Sequence, residues 1–244
     1  MSLRDRISGL HRKWATLPPW AGSLAALVIL ATVTAILSDT FRTPENIFNV
    51  LRQWSFVGII ALGMTFVIIL GGIDLSVGSL IAFSGGLGVL AMNTVINAPE
   101  LIAAYDQALN AAAAKAPMVQ FPCSGFRYGL AKLFSTMGLA GSEAGGVAVA
   151  FVLIVLAATL AGWLTGLLVT KGKLAPFIAT LGGLAAYRSL SLAMADGGEY
   201  RSGSASMFKA IGTGGIPIPG TNVAPMAPQP VPLLIPWPVL VFVL

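Results

Sequence analysis

The residues of this chain that could do chemistry lie close together in residues 71–79, which read Gly-Gly-Ile-Asp-Leu-Ser-Val-Gly-Ser. Asp74 is the only ionisable side chain in the sequence between Arg52 and Glu100. A carboxylate in so apolar a stretch is costly unless other groups shelter it, so it marks a site of function or architecture. A carboxylate can accept hydrogen bonds from backbone amides or from a polar solute. The segment therefore indicates helix capping or solute handling.

Two compatible interpretations of Asp74 follow. As a cap, its carboxylate accepts hydrogen bonds from the amide of Ser76 or Val77 at a helix start. As part of a substrate pathway or gate, it lies where a broken helix directs its N-terminus into a polar cavity. In that case Ser76 and Ser79 line the cavity, although hydroxyls in membrane helices more often bond their own backbone.

The glycines on either side of Asp74 predict a break between two membrane helices. Arg188 is a second isolated charge, and it has three interpretations: it pairs with a carboxylate such as Asp74, it lines the conduit, or it snorkels to the outer interface. Snorkelling is favoured because Arg188 lies near the outer end of its span. The candidate pathway or motif residues are Gly71, Gly72, Asp74, Leu75, Ser76, Gly78, Ser79 and Arg188.

Enzymatic chemistry has little support in these residues. The single histidine, His11, precedes the first apolar segment, so an intramembrane serine protease would lack its base. Cys123 is the single cysteine, which excludes an intrachain disulfide and offers no thiol–imidazole pair. No cluster of His, Cys and carboxylates predicts a metal site. We therefore expect no catalytic residue, no metal and no cofactor in this chain.

The composition predicts a membrane protein. The 244 residues are 56% hydrophobic and 9% charged, whereas soluble domains carry about 25% charged residues. The net charge of +5 does not indicate nucleic-acid binding, because no basic cluster alternates with aromatic residues. Instead, Arg4, Arg6, Arg12 and Lys13 precede the first apolar stretch, which predicts a cytoplasmic N-terminus.

We predict an all-α fold, a polytopic transmembrane helical bundle with a broken helix at residues 71–74. The predicted spans are 20–37, 54–70, 75–92, 146–170 and 175–195. Thr43-Pro44-Glu45 reads as a helix start. Small residues at Gly78, Ala82 and Gly86, and at Gly162 and Gly166, predict close helix packing. The whole chain, 1–244, is expected to be one partial permease domain.

Residues 97–146 are predicted to be an extramembrane insertion that can lie on the membrane surface, with an amphipathic helix over 99–116 followed by Gly, Ser and Pro residues of balanced charge. Residues 196–230 are rich in Gly and Pro, so a regular helix is not expected there. Residues 231–244 are apolar but shorter than the about 20 residues of a span. We therefore expect a fragment. The insertion and 196–230 are predicted outside, and the turn at Lys171 and Lys173 inside.

Two blocks of the sequence closely resemble the ribose/xylose/galactoside-type ABC transporter permeases. The first runs from residue 47 to 80 and contains Ala-Leu-Gly-Met-Thr-Phe-Val-Ile-Ile-Leu-Gly-Gly-Ile-Asp-Leu-Ser-Val-Gly-Ser. The second, residues 171–182, reads Lys-Gly-Lys-Leu-Ala-Pro-Phe-Ile-Ala-Thr-Leu-Gly and is followed by Arg188 and Asp196-Gly-Gly. The resemblance covers about the first two thirds of the family's length.

The resemblance implies the membrane subunit of a monosaccharide importer in the bacterial inner membrane. It further implies a second permease copy in a homodimer, a periplasmic sugar-binding protein and a pair of cytoplasmic ATPase subunits. The sequence has no Gly-x-x-x-x-Gly-Lys-Ser/Thr loop, so ATP is expected on those partners and not on this chain. The alternative is a secondary transporter or channel that uses the same broken helix with a coupling ion and no ATPase.

Overall fold

The computed structural model describes residues 18, 20–114, 124–195, 199–203, 205–223 and 231–243. The longer helices are α1 (Trp20–Leu37), α2 (Pro44–Ile69), α3 (Val77–Ile96), α4 (Ala98–Ala113), α5 (Gly125–Thr136), α6 (Glu143–Thr170) and α7 (Pro176–Met194). A 3-10 turn, Thr40–Arg42, joins α1 to α2. The C-terminal part contains α8 (Ser206–Thr213), β1 (Gly215–Val223), β2 (Val231–Pro236) and α9 (Trp237–Val243).

The predicted all-α bundle and its five spans are confirmed. Among the described residues, five helices are long and apolar enough to cross a membrane, namely α1, α2, α3, α6 and α7. The predicted start of α2 is also correct: Pro44 opens the helix, and the Thr43 hydroxyl accepts a hydrogen bond from the Asn46 amide at 3.3 Å. α3 and α6 are each longer than predicted, because periodicity alone locates helix ends poorly.

The centre of the bundle is α3, which packs along both α6 and α7. Glycines make the α3–α6 contact close. A Cβ atom on Gly146 would lie 3.1 Å from the Met92 carbonyl oxygen, and one on Gly88 would lie 3.3 Å from that of Ala150. Met92 is fully buried in this contact. The interface therefore depends on the absence of a side chain at two helix-facing positions.

Most of the predicted small-residue faces have no neighbour among the residues that the structure describes. Within these ranges, a Cβ atom on Gly78, Gly162 or Gly166 would meet no atom within 4 Å. Gly86 is buried as expected, but its neighbour is the Tyr200 ring from a loop and not another helix. Four-residue spacing identifies a smooth strip on a helix, but it does not determine which neighbouring element covers that strip.

The segment between α3 and α6 contains two helices. Helix α4 matches the predicted amphipathic helix, and α5 lies in the part for which no element was predicted. Ser124 starts α5 by accepting a hydrogen bond from the Arg127 amide at 3.4 Å. The two helices pack together, with the rings of Tyr105 and Tyr128 stacked at 4.1 Å. The Gly and Ser residues around α5 obscured its helical pattern.

The C-terminal part also contains regular structure that was not predicted. α8 lies within 196–230, where no regular helix was expected, because the prolines of that segment begin only at Pro217, after α8. β1 and β2 form an antiparallel ribbon with an irregularity between Pro217 and Asn222. α9 packs on α2, with the Phe242 ring against Gly58. Asp196 lies outside the described residues.

Candidate functional site at the helix break

The break after α2 is a Schellman turn, in which two glycines end the helix. Gly71 has a φ of 75°, the left-handed conformation that glycine adopts most easily. Its amide donates to the Ile68 carbonyl at 2.9 Å, and the Gly72 amide donates to the Val67 carbonyl at 3.0 Å. These two bonds satisfy carbonyls that the helix end would otherwise leave unpaired. The predicted break is therefore a turn of defined geometry at Gly71 and Gly72, which we call the corner.

Asp74 holds the start of α3 through Ser76. Its Oδ1 atom accepts hydrogen bonds from the Ser76 amide at 2.8 Å and from the Ser76 hydroxyl at 2.6 Å. Ser76 is the N-cap residue of α3; its side chain is buried and makes no capping bond to the helix, because its hydroxyl bonds Asp74. Its carbonyl in turn accepts from the Leu80 amide and from the Ser79 hydroxyl, both at 2.8 Å. The capping interpretation is thus satisfied at the Ser76 amide.

One carboxylate oxygen of Asp74 takes part in this cap. Both of the carboxylate's hydrogen bonds in the described part of the chain end on Oδ1. The residue is half-buried, so its Oδ2 atom is not sealed inside the protein. A carboxylate oxygen can accept up to two hydrogen bonds. The geometry therefore leaves an acceptor available beside the helix break while the other oxygen maintains the fold.

The break is seated on one face of α7. The Thr180 hydroxyl donates to the Ile73 carbonyl at 3.2 Å. A Cβ atom on Gly72 would lie 3.6 Å from Cβ of Pro176, and one on Gly183 would lie 3.3 Å from Cβ of Ser76. Positions 176, 180 and 183 recur at helical spacing, so they form a single strip. Thus residues before and after Asp74 both contact the same helix.

Thr180 and Gly183 were not among the residues singled out from the sequence. A threonine in an apolar helix ordinarily bonds its own backbone, and Thr180 also does so, to the Phe177 carbonyl at 3.3 Å. The sequence contained one indication of this contact: Thr180 lies in the second family-like block, 171–182, and Ile73 lies in the first, 47–80. The fold brings these two blocks together at the helix break.

An aromatic pair continues this strip on α7 away from the break. The rings of Phe83 and Tyr187 stack with their centroids 6.0 Å apart, which joins α3 to α7. The Tyr187 hydroxyl donates to the Ala161 carbonyl at 3.4 Å, which reaches α6. Because a polar tip on a buried ring normally finds a partner, this bond favours one orientation of the tyrosine. Three membrane helices therefore meet at Tyr187.

The structure does not bring Arg188 to Asp74. Arg188 is exposed on α7, and the ion pairs among the described residues are Arg42–Asp39 and Arg201–Glu199. It lies one residue beyond Tyr187, about 100° around α7 from the strip, so it does not share the face that seats the break. Within the described chain, the pairing interpretation of Arg188 is therefore wrong, and its roles at the interface or in a conduit stay predictions.

Leu75 and Gly78, the other two candidate residues beside Asp74, are exposed. Across the described ranges no group of three or more His, Cys, Asp or Glu side chains could hold a metal ion. The polar groups described at the break are a carboxylate, the hydroxyls of Ser76, Ser79 and Thr180, and backbone carbonyls.

Residues that follow α7 in the sequence contact the ends of α3, α6 and α7 that lie away from the break. The Asn93 side-chain amide donates to the Arg201 carbonyl at 2.7 Å, and the Tyr200 hydroxyl donates to the Ser191 carbonyl. Glu143 at the start of α6 accepts from the Ser206 hydroxyl at 3.1 Å and from the Met207 amide, at the N-terminus of α8. A carboxylate at that position is favourable because backbone amides there lack partners. These bonds fix the loop on the bundle.

Known proteins resemble this chain over most of its length. It is 32% identical over 203 residues to the ribose import permease protein RbsC of Haemophilus influenzae, covering 81% of this chain and 48% of that protein. It is 33% identical over 206 residues to RbsC of Bacillus subtilis, covering 83% of the chain and 49% of that protein. The xylose transport system permease protein XylH of Haemophilus influenzae is 44% identical over 68 residues, 28% of this chain and 18% of XylH.

The chain spans about half the length of the curated relatives it matches, less than the two thirds expected from the two blocks. No solved structure matches it. The family described as branched-chain amino acid transport system / permease component matches residues 46–213, which include the break, both blocks and the strip on α7. The chain is therefore a multi-pass membrane protein and belongs to this family of ABC transporter permeases, with similarity to the ribose and xylose permeases.

Proposed function

We propose that this chain is part of the membrane-spanning permease subunit of an ABC importer that translocates a monosaccharide. The observation that carries the proposal is the meeting of the two sugar-permease-like blocks at the break, where Asp74 caps α3 with one oxygen and leaves the other open. The ribose and xylose permeases among its relatives indicate the substrate class. A sugar hydroxyl can donate to the open oxygen or to the Ser79 hydroxyl oxygen, whose own proton is donated to the Ser76 carbonyl.

The solute pathway in this proposal passes the corner formed by Gly71 and Gly72. The Schellman turn fixes the break at the end of α2, and the Thr180 bond attaches the break to α7. A movement of α7 within the bundle would therefore also move the break. The remaining pathway candidates, Leu75, Gly78 and Arg188, are exposed and are free to face a solute or another subunit.

The proposed partners are a periplasmic sugar-binding protein that delivers the monosaccharide, a pair of cytoplasmic ATPase subunits and a second permease copy. The chain itself performs no bond chemistry in this proposal, and ATP binds to the ATPase subunits. The N-terminus is proposed to lie in the cytoplasm, because four basic residues precede α1. The proposed location is the bacterial inner membrane.

The test is a reconstitution of the complete reading frame that contains this chain, with the ATPase and binding protein encoded beside it, in proteoliposomes. We expect uptake of radiolabelled ribose or xylose that requires ATP on the ATPase side and binding protein on the opposite side. A matched control is an ATPase variant that binds ATP without hydrolysing it. Uptake that persists in this control and collapses with a protonophore would support the secondary transporter instead.

A further inference from the structure

Helix α5 has an apolar stripe that the protein does not cover. Phe126, Leu133 and Met137 are 77%, 52% and 61% exposed, respectively. They follow one another at intervals of seven and four residues, so they align on one side of the helix and its C-terminal cap. Leu130 lies between them on the same side and is half-buried. We call these four residues the α5 stripe.

The α5 stripe is distinct from the side of α5 that packs into the protein. Ala131 is fully buried and Phe134 is 9% exposed, and both lie about 100° around the helix from the stripe. The third side of the helix carries Tyr128, Lys132 and Ser135. The helix therefore already has a core side and a polar side, so the stripe is a separate apolar surface.

Two hydrogen bonds hold α5 and the turn after it against the last turn of α3. The Arg127 Nε atom donates to the Thr94 hydroxyl at 3.1 Å, and the Gly141 amide donates to the Val95 carbonyl at 2.9 Å. α3 has 20 residues and is about 30 Å long, which matches the hydrocarbon core of a bilayer. Its last turn therefore lies at the membrane boundary, and α5 lies at the same level.

The polar side of α5 carries a cation that is held away from the stripe. Lys132 Nζ lies 4.8 Å from the centroid of the Tyr128 ring, and the Tyr128 hydroxyl donates to Asp106 Oδ1 at 2.5 Å. Hydrogen bonding to Tyr128 raises the pKa of Lys132, and the negative charge of Asp106 raises it further. Lys132 thus stays protonated at neutral pH. A cation beside an apolar stripe is the arrangement of helices that lie in a membrane interface.

We propose that α5 is an interfacial helix whose stripe enters the acyl region of the leaflet at the C-terminal end of α3, with Lys132 at the level of the lipid phosphates. The partner is the lipid bilayer itself. The bonds to Thr94 and Val95 hold α5 beside the end of a membrane-spanning helix, and its cation is complementary to anionic headgroups. The hairpin of α4 and α5 is then attached to the bilayer and does not project freely into solvent.

The test measures depth by spin labelling of the complete permease in vesicles of phosphatidylethanolamine and phosphatidylglycerol. In a Cys123→Ser background, single cysteines replace Phe126, Leu133 or Met137, with Ser135→Cys as the matched exposed control on the polar side. We expect collisions of the stripe labels with oxygen to exceed those with a water-soluble nickel reagent several-fold, and the opposite ratio at position 135. If one cysteine prevents assembly, the other two report on the same surface.

Equal nickel access at the stripe and at position 135 would place the stripe in water and overturn the proposal. Stripe labels that are shielded from both reagents only when the binding protein is added would show that a protein covers the stripe, which also contradicts it. This measurement records depth and not uptake, so its outcome is independent of sugar import.

Discussion

The Thr180 hydroxyl donates a hydrogen bond to the Ile73 carbonyl across 107 positions of sequence, at 3.2 Å. This bond joins a helix interior to the one irregular stretch of backbone between α2 and α3. In a bilayer, such backbone is tolerated only where protein or a polar cavity satisfies it. Thr180 therefore supplies a partner that the break needs and that neither neighbouring helix provides.

Replacing Thr180 by Val removes this donor while keeping the side-chain shape. We expect a loss of about 0.6 kcal/mol, and at most about 1.7, the range found for interhelical hydrogen bonds in membranes. The measurement is the midpoint of thermal unfolding in detergent together with uptake. The matched control is Thr165→Val, because that hydroxyl bonds the Ala161 carbonyl within α6. Equal effects of the two changes would show that the break does not depend on Thr180.

Replacing Asp74 by Ala should impair transport or assembly, because it removes both hydrogen bonds to Ser76. The loss of a cap costs about 0.5–2 kcal/mol. Asp74→Asn keeps an acceptor oxygen but removes the charge, so it separates capping from solute binding. We expect membrane levels of the Asn variant to be close to wild type while its uptake falls. Normal uptake and normal levels of the Ala variant would contradict both roles.

Replacing Gly71 by Ala should strain the corner, because this residue has a φ of 75°. The left-handed conformation costs other residues about 1–2 kcal/mol. Gly71→Asn should be tolerated better, since asparagine adopts this conformation more readily. Limited proteolysis of the purified permease would detect the difference. Indistinguishable Ala and Asn variants would mean that the backbone at the corner is not constrained as described.

Two glycines on α6 provide a matched pair for the α3–α6 contact. Gly146→Ala places a methyl group 3.1 Å from the Met92 carbonyl oxygen, so we expect destabilisation of about 1–3 kcal/mol. Gly162→Ala meets no atom within 4 Å and should be neutral or stabilising by up to about 1 kcal/mol from helix propensity. The midpoints of thermal unfolding in detergent show which of the two variants is less stable. A larger loss at Gly162 would indicate that a second subunit packs there.

Much of the architecture was predictable because membrane helices are encoded locally. A run of about 20 apolar residues is long enough to span, and Thr43-Pro44 and Gly71-Gly72 mark helix ends through their own conformational preferences. α5 was missed because its Gly, Ser and Lys residues dilute the hydrophobic signal. The neighbours of the small-residue faces were not predictable, because spacing shows a smooth surface but not the element that covers it.

The sequence by itself determined the apolar spans and the corner at Gly71 and Gly72, and it indicated a cap from Asp74 on α3, since each depends on neighbouring residues in the chain. Only the tertiary structure decided that Thr180 and Gly183 seat the break, that Tyr200 covers Gly86, and that Arg188 lies away from Asp74. These relations join positions far apart in sequence. They are determined by how helices pack against one another, and a single helix's residue pattern carries no information about its partner.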